Sequence, residues 1–269
     1  MRPNRLLETL RAGGTVVGLF QTYPAPGIIE GMCRGWDFVW VDGQHGEFSY
    51  DSILHAVQAA SATGVESLIR TPGHEPGMLG LYADLGPAAV MVPMVENRTQ
   101  AEAIVSALRF PPLGNRSYGG RRVVDLDGRE YYRERELMVL AQIETPESVE
   151  NAADIIGTEG IDALFFGPDD MKCRMGLPID TPLVESEQLM EALRETGRAA
   201  TAAGRICGGI ATSSELARVY LDAGCRLLVS GADIVFLREG AARALTMIRG
   251  AIGGNPAPQP TGDTPEPIE

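Results

Sequence analysis

Hydrophobic, β-branched runs recur eight times along the 269-residue chain, and segments of helical periodicity separate them. Near-continuous apolar runs are typical of strands that are buried on both faces of a parallel sheet. The pattern predicts strands over residues 15–21, 37–42, 67–70, 89–94, 138–144, 163–167, 207–211 and 227–230. Apolar residues that repeat on one face, with Gly or Pro at the ends, predict helices over 51–62, 102–108 and 148–156.

The order of these elements favours a closed (β/α)8 barrel, or TIM barrel, over an open doubly wound sheet. The chain also lacks the GxGxxG turn that opens a dinucleotide-binding fold. We expect one barrel domain over residues 1–253 and a disordered, proline-rich acidic tail over residues 254–269. Residues 109–136 are predicted to form a long loop with room for a short helix.

Charge and cysteine usage limit the partners and the compartment. The formal net charge is −13, and nonspecific binding to nucleic acid or to an anionic membrane requires basic surface, so we expect neither as a partner. An anionic substrate would need a local positive site. Four cysteines are scattered without CxxC spacing, and no apolar leader opens the chain, which together predict a cytoplasmic location.

Polar residues cluster directly after the predicted strands, at the end of the barrel where active sites lie. Glu144 and Asp170 follow the fifth and sixth strands, so two carboxylates would stand side by side. Adjacent carboxylates repel each other unless they are neutralised, and a hard divalent cation is the usual partner. Two protein ligands would leave positions for water and for a bidentate 2-oxo acid. The alternative is that each acid caps a neighbouring helix.

His45 follows the second predicted strand and is one of three histidines. A neutral imidazole there suits proton transfer near neutral pH, and Asp42 could orient it. The alternative is a loop histidine that packs against Phe48. The other two, His55 within a helix and His74 in a turn, are predicted to be structural or exposed.

Arg70 ends the third predicted strand. Its guanidinium cannot lose its charge, so burial requires an anionic partner. A substrate oxyanion is one candidate. A structural salt bridge to Glu144 or Asp42 is the other, and both can hold at once.

Six segments carry a family resemblance, and they are VDGQHGEFSYD, LIRTP, MVPMVENRTQAEAIVSALRFPPLGNRSYG, QIETPESVENAADI, GIDALFFGPDDMKCRMG and LVSGADIVFLREG. They resemble the HpcH/HpaI aldolase/citrate lyase family, and within it the class II pyruvate aldolases of 2-keto-3-deoxy sugar acids and 4-hydroxy-2-oxo acids. The resemblance ends at the proline-rich tail. It implies a (β/α)8 barrel of the phosphoenolpyruvate/pyruvate superfamily with an additional N-terminal helix.

The resemblance also implies a site and a reaction. A divalent ion (Mg²⁺, Mn²⁺ or Co²⁺) would be held by the residues that match Glu144 and Asp170, and pyruvate would chelate it. Arg70 would stabilise the enolate oxygen, and a base in the region of Asp42 and His45 would take the proton of the C4 hydroxyl. The residues expected to contact substrate besides Arg70 are Phe20, Gln142, Gly167, Pro168 and Asp169, with the amides around Gly167 and Asp169 holding the carboxylate.

The resemblance further implies a hexamer, built as a trimer of dimers, in which the last barrel helix is exchanged and residues 247–252 lie at an interface. Four residues at three places depart from the family pattern. Met171-Lys172 stands where a Leu-Ser pair is usual, Gln44 where Glu is common, and Phe20 where the common aldolases have Trp. These changes put the acceptor pocket and the orientation of His45 in question.

Three other interpretations stay open. Lys172 is the only lysine in the chain, so a class I Schiff-base route would have to use it. The second is a CoA-thioester condensing or cleaving lyase of the citryl- or malyl-CoA type, or a citrate-forming relative. Such an enzyme would need to hold a nucleotide tail, for which Arg116, Arg121 and Arg122 are the candidates. A non-catalytic barrel that serves binding or assembly is the third.

Overall fold

The barrel is closed by eight parallel strands that pair in sequence order, with the first strand paired to the last. The computed structural model describes residues 2–252, so the tail predicted over 254–269 lies outside the described residues. Every predicted strand is confirmed, with bounds that shift by at most two residues. The strands are β1 Val16–Gln21, β2 Phe38–Asp42, β3 Glu66–Arg70, β4 Ala89–Val92, β5 Met138–Ile143, β6 Ala163–Phe166, β7 Ile206–Ile210 and β8 Leu227–Ala232.

Helices surround the barrel, and one of them precedes β1, as the resemblance implies. They are α1 Arg5–Arg11, α2 Pro26–Met32, α3 Tyr50–Thr63, α4 Pro76–Ala83, α5 Arg98–Leu108, α6 Arg121–Asp127, α7 Tyr131–Glu134, α8 Pro146–Glu150, α9 Ala152–Ile156, α10 Pro168–Met175, α11 Glu187–Ala202, α12 Ser214–Asp222 and α13 Asp233–Ala251. Within residues 2–252, no helix is both long and apolar enough to cross a bilayer.

Three helical predictions need correction. The helix predicted over 102–108 begins at Arg98, because the Asn97 side chain accepts a hydrogen bond from the Gln100 amide at 3.0 Å and caps the helix there. The helix predicted over 148–156 is two short helices that meet at Asn151. The segment 109–136 contains α6 and α7 rather than one short helix.

The core explains why the strands are apolar along their whole length. Successive side chains point alternately into the barrel and towards the helices, and both sides are buried. Inside, the Trp40 ring lies between Phe20 and Phe165, with ring centroids 4.5 and 5.3 Å apart. Each such buried side chain stabilises the fold by about 1.5–3 kcal/mol. These rings lie directly below the carboxyl ends of the strands.

Candidate active site

A cavity of about 240 Å³ opens at the carboxyl ends of the strands. All ten residues that the sequence singled out for catalysis, substrate or metal lie in its wall. Their placement brings them together, while their roles stay predictions. The lining residues are Phe20, Thr22, Trp40, Asp42, His45, Arg70, Gln142, Glu144, Gly167, Pro168, Asp169, Asp170 and Ile210.

Arg70 and Asp42 form a buried, bidentate ion pair in this wall. The two residues are register partners on β3 and β2. Arg70 Nε donates to Asp42 Oδ1 at 2.7 Å, and Nη2 donates to Oδ2 at 2.8 Å. The guanidinium also lies 4.8 Å from the centroid of the Trp40 ring. The structural salt bridge to Asp42 is therefore confirmed, and the remaining N–H donors of Arg70 are available to an anion in the cavity.

Asp42 does not orient His45, contrary to the sequence-based expectation. Its carboxylate accepts from Arg70 and from the Gln44 amide, which donates to Oδ1 at 3.1 Å. Among the described residues, no hydrogen bond joins Asp42 to His45. His45 is exposed at the mouth of the cavity, on the loop that follows β2. Asp42 instead fixes the position of Arg70.

Glu144 is almost fully buried at the end of β5. Its Oε2 accepts from the Met94 amide at 2.9 Å. Burial raises the pKa of Glu144 to about 7, and the nearby charge of Asp170 acts in the same direction, although the Met94 hydrogen bond and Arg70 oppose it. A cation beside this carboxylate would favour its charged form.

The helix-capping alternative is wrong for Glu144. Thr145 is the N-cap of α8, because its hydroxyl accepts from the Ser148 amide at 3.0 Å and the Ser148 side chain reciprocates. Asp170 does lie in the first turn of α10, where an acidic side chain is favourable beside the helix dipole. Asp170 also lines the cavity next to Glu144.

The Met94 backbone is a feature of the site that the sequence did not indicate. Met94 has φ 54°, and it is the one non-glycine residue with positive φ among residues 2–252. This left-handed conformation costs about 1–3 kcal/mol and directs the Met94 amide at Glu144. It also explains why β4 ends two residues before the predicted strand. Methionine carries no sequence signal for such a conformation.

The charges and donors of the site fit a hard divalent cation. When all four carboxylates (Asp42, Glu144, Asp169 and Asp170) are ionised, the two cations Arg70 and Lys172 leave two negative charges uncompensated. The buried Gln142 Oε1 has no hydrogen-bond partner among the described residues. Oxygen donors of this kind suit Mg²⁺ or Mn²⁺.

No group of three or more His, Cys, Asp or Glu side chains suited to a metal occurs in residues 2–252. Of the four carboxylates in the cavity wall, Asp42 and Asp169 pair with Arg70 and Lys172, which leaves Glu144 and Asp170 without a cationic partner among the described residues. The two-ligand site expected from the sequence stays a prediction.

Lys172 lies behind the wall of the cavity rather than in it. Its side chain is 2% exposed, and Nζ donates to Ile179 O at 3.0 Å and lies 3.4 Å from Asp169 Oδ1. Since Lys172 is the only lysine in the chain, the cavity contains no lysine amine for a class I route.

The three arginines that were candidates for holding a CoA nucleotide tail bind other groups of the protein. Arg116 pairs with Asp84 at 2.6 Å, Arg121 pairs with Asp125 on the surface of α6, and Arg122 donates to the Leu85 carbonyl. None of them lines the cavity. The remaining histidines behave as expected: His55 is exposed on α3, and His74 bonds to the Pro93 carbonyl.

Asp233 connects the cavity to the last helix, and sequence reasoning assigned it no role. It is fully buried at the start of α13. Its Oδ1 accepts from the Thr22 amide at 3.0 Å and from the Thr22 hydroxyl at 2.8 Å, and its Oδ2 accepts from the Tyr23 amide at 2.9 Å. Thr22 lines the cavity. Asp233 therefore fixes one edge of the cavity mouth.

The sequence that forms this cavity matches a known protein family. Residues 17–239 match the sequence model of a family described as HpcH/HpaI aldolase/citrate lyase. The chain belongs to this family. The resemblance seen in the sequence is thereby confirmed, and HpcH/HpaI aldolases generally depend on a divalent metal.

HpcH/HpaI relatives with curated activities are similar over most of the chain. A hydroxypyruvate/pyruvate aldolase from Delftia acidovorans is 34% identical and covers 88% of this chain and 90% of its own. A 4-hydroxy-2-oxovalerate aldolase from Novosphingobium aromaticivorans is 33% identical, with 90% and 93% covered. The crystal structure of an HpcH/HpaI aldolase from Desulfitobacterium hafniense has a TM-score of 0.84 at 28% identity, with 93% and 99% covered. The expected reaction class, a carbon–carbon lyase of the aldolase type, is confirmed.

Proposed function

We propose that the protein is a class II pyruvate aldolase that reversibly cleaves the C3–C4 bond of a 4-hydroxy-2-oxo acid to give pyruvate and an aldehyde. The observation that carries this proposal is the placement of Glu144 and Asp170 beside the Arg70–Asp42 pair in one cavity with two uncompensated negative charges. A divalent cation would balance that charge, and it would also give a small anionic substrate a positive partner.

Glu144 and Asp170 would hold the cation, which we propose to be Mg²⁺, Mn²⁺ or Co²⁺. When bound, such an ion acts as a Lewis acid on the substrate carbonyl. The Gln142 oxygen, which lacks a partner among the described residues, lies in the same wall and can accept a hydrogen bond from a ligand or water.

The substrate carboxylate would lie at the start of α10. The Gly167 amide already donates to the Ile143 carbonyl at 3.0 Å, so it is not free for this purpose, contrary to the expectation from the sequence. The N–H groups of Asp169 and Asp170 in the first helical turn have no intrahelical acceptor. They are the amides that we propose for the carboxylate.

Arg70 would stabilise the negative charge that develops on the carbonyl oxygen during cleavage. Its pairing with Asp42 holds the guanidinium in place before the substrate arrives, so no reorganisation is needed when the charge forms. In cleavage, His45 takes the proton of the C4 hydroxyl. The C3–C4 bond then breaks, its electron pair forms the enolate, and C4 leaves as the aldehyde. A proton returned to C3 completes pyruvate.

The exposed face of α13 supports a homo-oligomer. Leu237, Leu245, Met247 and Ile248 are each between 46% and 67% exposed. A groove of about 490 Å³ beside the start of this helix is lined mostly by apolar residues, among them Trp36, Leu216 and Phe236. We propose that α13 of a second copy covers this groove in a hexamer built as a trimer of dimers. We also propose a cytoplasmic location, where the four free thiols stay reduced.

Calorimetry tests the proposed function. Metal-stripped protein is titrated with Mn²⁺ and then with pyruvate, beside Glu144→Ala and Asp170→Ala, with Glu150→Ala as an exposed acidic control. We expect pyruvate heat only after Mn²⁺, and none in either site variant. Equal pyruvate binding without metal would show the class II assignment to be wrong. So would the absence of any carbon–carbon bond change when the metal-loaded enzyme meets pyruvate and a panel of aldehydes.

A further inference from the structure

The environment of Lys172 is unusual for a charged residue. The side chain is 2% exposed, and its ammonium has two protein partners, the Ile179 carbonyl and the Asp169 carboxylate. Burial of an ammonium group is costly unless a partner compensates it. The Asp169 side chain is itself 44% exposed and faces the cavity. The Lys172 ammonium is therefore enclosed by protein, whereas the Asp169 carboxylate is exposed to the cavity.

Asp169 presents an electrostatic difficulty for the proposed substrate. It adds a carboxylate to a wall that already contains Asp42, Glu144 and Asp170, of which Asp42 is paired with Arg70. The first turn of α10, where the substrate carboxylate would bind, carries the Asp169 side chain as well as its amide. An uncompensated charge there would attract a cation and repel an anion.

We propose that Lys172 is a positioning residue that compensates the charge of Asp169 and so permits an anionic 2-oxo acid to bind beside it. Because the ammonium lies behind the wall, it provides a positive charge without occupying cavity volume. Its bond to Ile179 holds the ammonium in that place. The identity of the anion rests on the proposed function. The compensation of the Asp169 charge by Lys172 does not depend on it.

Charge compensation makes a prediction that a purely structural role does not make. In Lys172→Met, an uncompensated Asp169 would tighten the binding of Mn²⁺ and weaken that of pyruvate. A local loosening of α10 would weaken both. Methionine has a similar volume, so the site stays packed, and the 44% exposed Asp169 side chain keeps its unpaired charge in contact with solvent.

The experiment measures two dissociation constants for each variant by calorimetry: Mn²⁺ to the metal-free protein, and pyruvate to the Mn²⁺-loaded protein. For Lys172→Met we expect pyruvate affinity to fall about tenfold, as for one uncompensated charge near a partly solvated site, while Mn²⁺ affinity rises. Asp169→Asn should shift both constants in the opposite directions. The double variant Asp169→Asn/Lys172→Met should return both dissociation constants towards those of the wild-type protein.

Arg109→Met is the matched control. Arg109 pairs with Asp162 at 2.6 Å, both side chains are mostly buried, and Asp162 directly precedes β6 at the opposite end of the barrel. This variant should lose thermal stability and leave both dissociation constants unchanged. Parallel weakening of Mn²⁺ and pyruvate in Lys172→Met, or no change in either, would overturn the inference. Failure of the proposed function would appear instead in the wild-type protein, as metal-independent pyruvate binding, and the Mn²⁺ constants would still decide the role of Lys172.

Discussion

The Glu144 side chain occupies the space that a side chain at the position of Gly167 would need. A Cβ atom at residue 167 would lie 2.7 Å from Glu144 Cγ and 2.8 Å from Oε1. Real side chains do not approach this closely, so the carboxylate can occupy its place only because residue 167 is glycine. The backbone that follows β6 therefore shapes the space for the carboxylate that follows β5.

Gly167→Ala should displace the Glu144 carboxylate and lower metal-dependent activity by at least about 100-fold, since a displacement of 1 Å at a reacting site is enough for such a loss. Mn²⁺ affinity should fall with it. The control is Gly31→Ala in α2, where a Cβ has open space and alanine is the better helix former. That variant should keep full activity. Retained Mn²⁺ affinity in Gly167→Ala would contradict the assignment of Glu144 as a ligand.

Arg70→Lys should lower kcat/KM by about 10²–10³-fold, because lysine keeps the charge but loses the bidentate contact to Asp42 and a preorganised donor to the substrate oxygen. The measurement is steady-state cleavage with saturating Mn²⁺. Mn²⁺ affinity should change little, since Arg70 is not a ligand. An unchanged kcat/KM would show that the guanidinium only supports the fold.

Only one of the four thiols should react rapidly with Ellman's reagent at pH 8. Cys173 is exposed, whereas Cys33, Cys207 and Cys225 are buried. Burial raises the pKa of Cys33 to about 11, and the charge of Asp233 adds to the effect. The expected count is one thiol in the native protein and four in urea. Rapid reaction of more than one native thiol would contradict the burial of Cys33, Cys207 and Cys225.

The raised pKa of Cys33 also predicts how the free energy of unfolding changes with pH. Because the pKa of Cys33 is higher in the folded chain than the value of 9.0 for a free thiol, its contribution to stability is complete below pH 9. It is lost as the pH rises to about 11. The free energy of unfolding in urea should therefore decline over this interval, and Cys33→Ala should decline less. Identical slopes would exclude Cys33 as a source.

Leu245→Glu/Ile248→Glu should reduce the molar mass in solution, because both side chains are exposed apolar residues on α13 and two buried charges would disrupt an interface. Light scattering coupled to gel filtration measures the mass. Val184→Glu introduces a charge at an exposed apolar residue elsewhere and should leave the mass unchanged. A monomeric wild-type protein would contradict the proposed assembly.

The sequence predicted those parts of the site that depend on periodicity and on chain direction. Eight buried strands imply a barrel, the barrel implies that strand ends converge, and Glu144 and Asp170 were found for that reason. Asp42 and Arg70 also follow from this logic. Their pairing was one of two open alternatives, because a strand pattern alone does not set the register between β2 and β3.

The remaining features depend on tertiary contacts that leave no local signal. Met94 keeps its left-handed backbone conformation because its amide donates a hydrogen bond to Glu144, which is fifty residues away in the sequence. The division between α8 and α9 at Asn151 coincides with a bond from its side chain to the Glu96 carbonyl, on another loop. Sequence reasoning likewise linked Asp42 to His45 by proximity in the chain, whereas the fold pairs Asp42 with the neighbouring strand.

Asp233 gives the last helix a fixed direction. A buried carboxylate that accepts hydrogen bonds from Thr22 and Tyr23, and from the Ile234 amide at 2.8 Å, cannot rotate without breaking several of them. Helix α13 therefore has no free hinge at its base, and the angle at which it leaves the barrel is set by the loop that borders the cavity. In an assembly formed through α13, the relative orientation of the subunits would therefore depend on the loop at the cavity mouth.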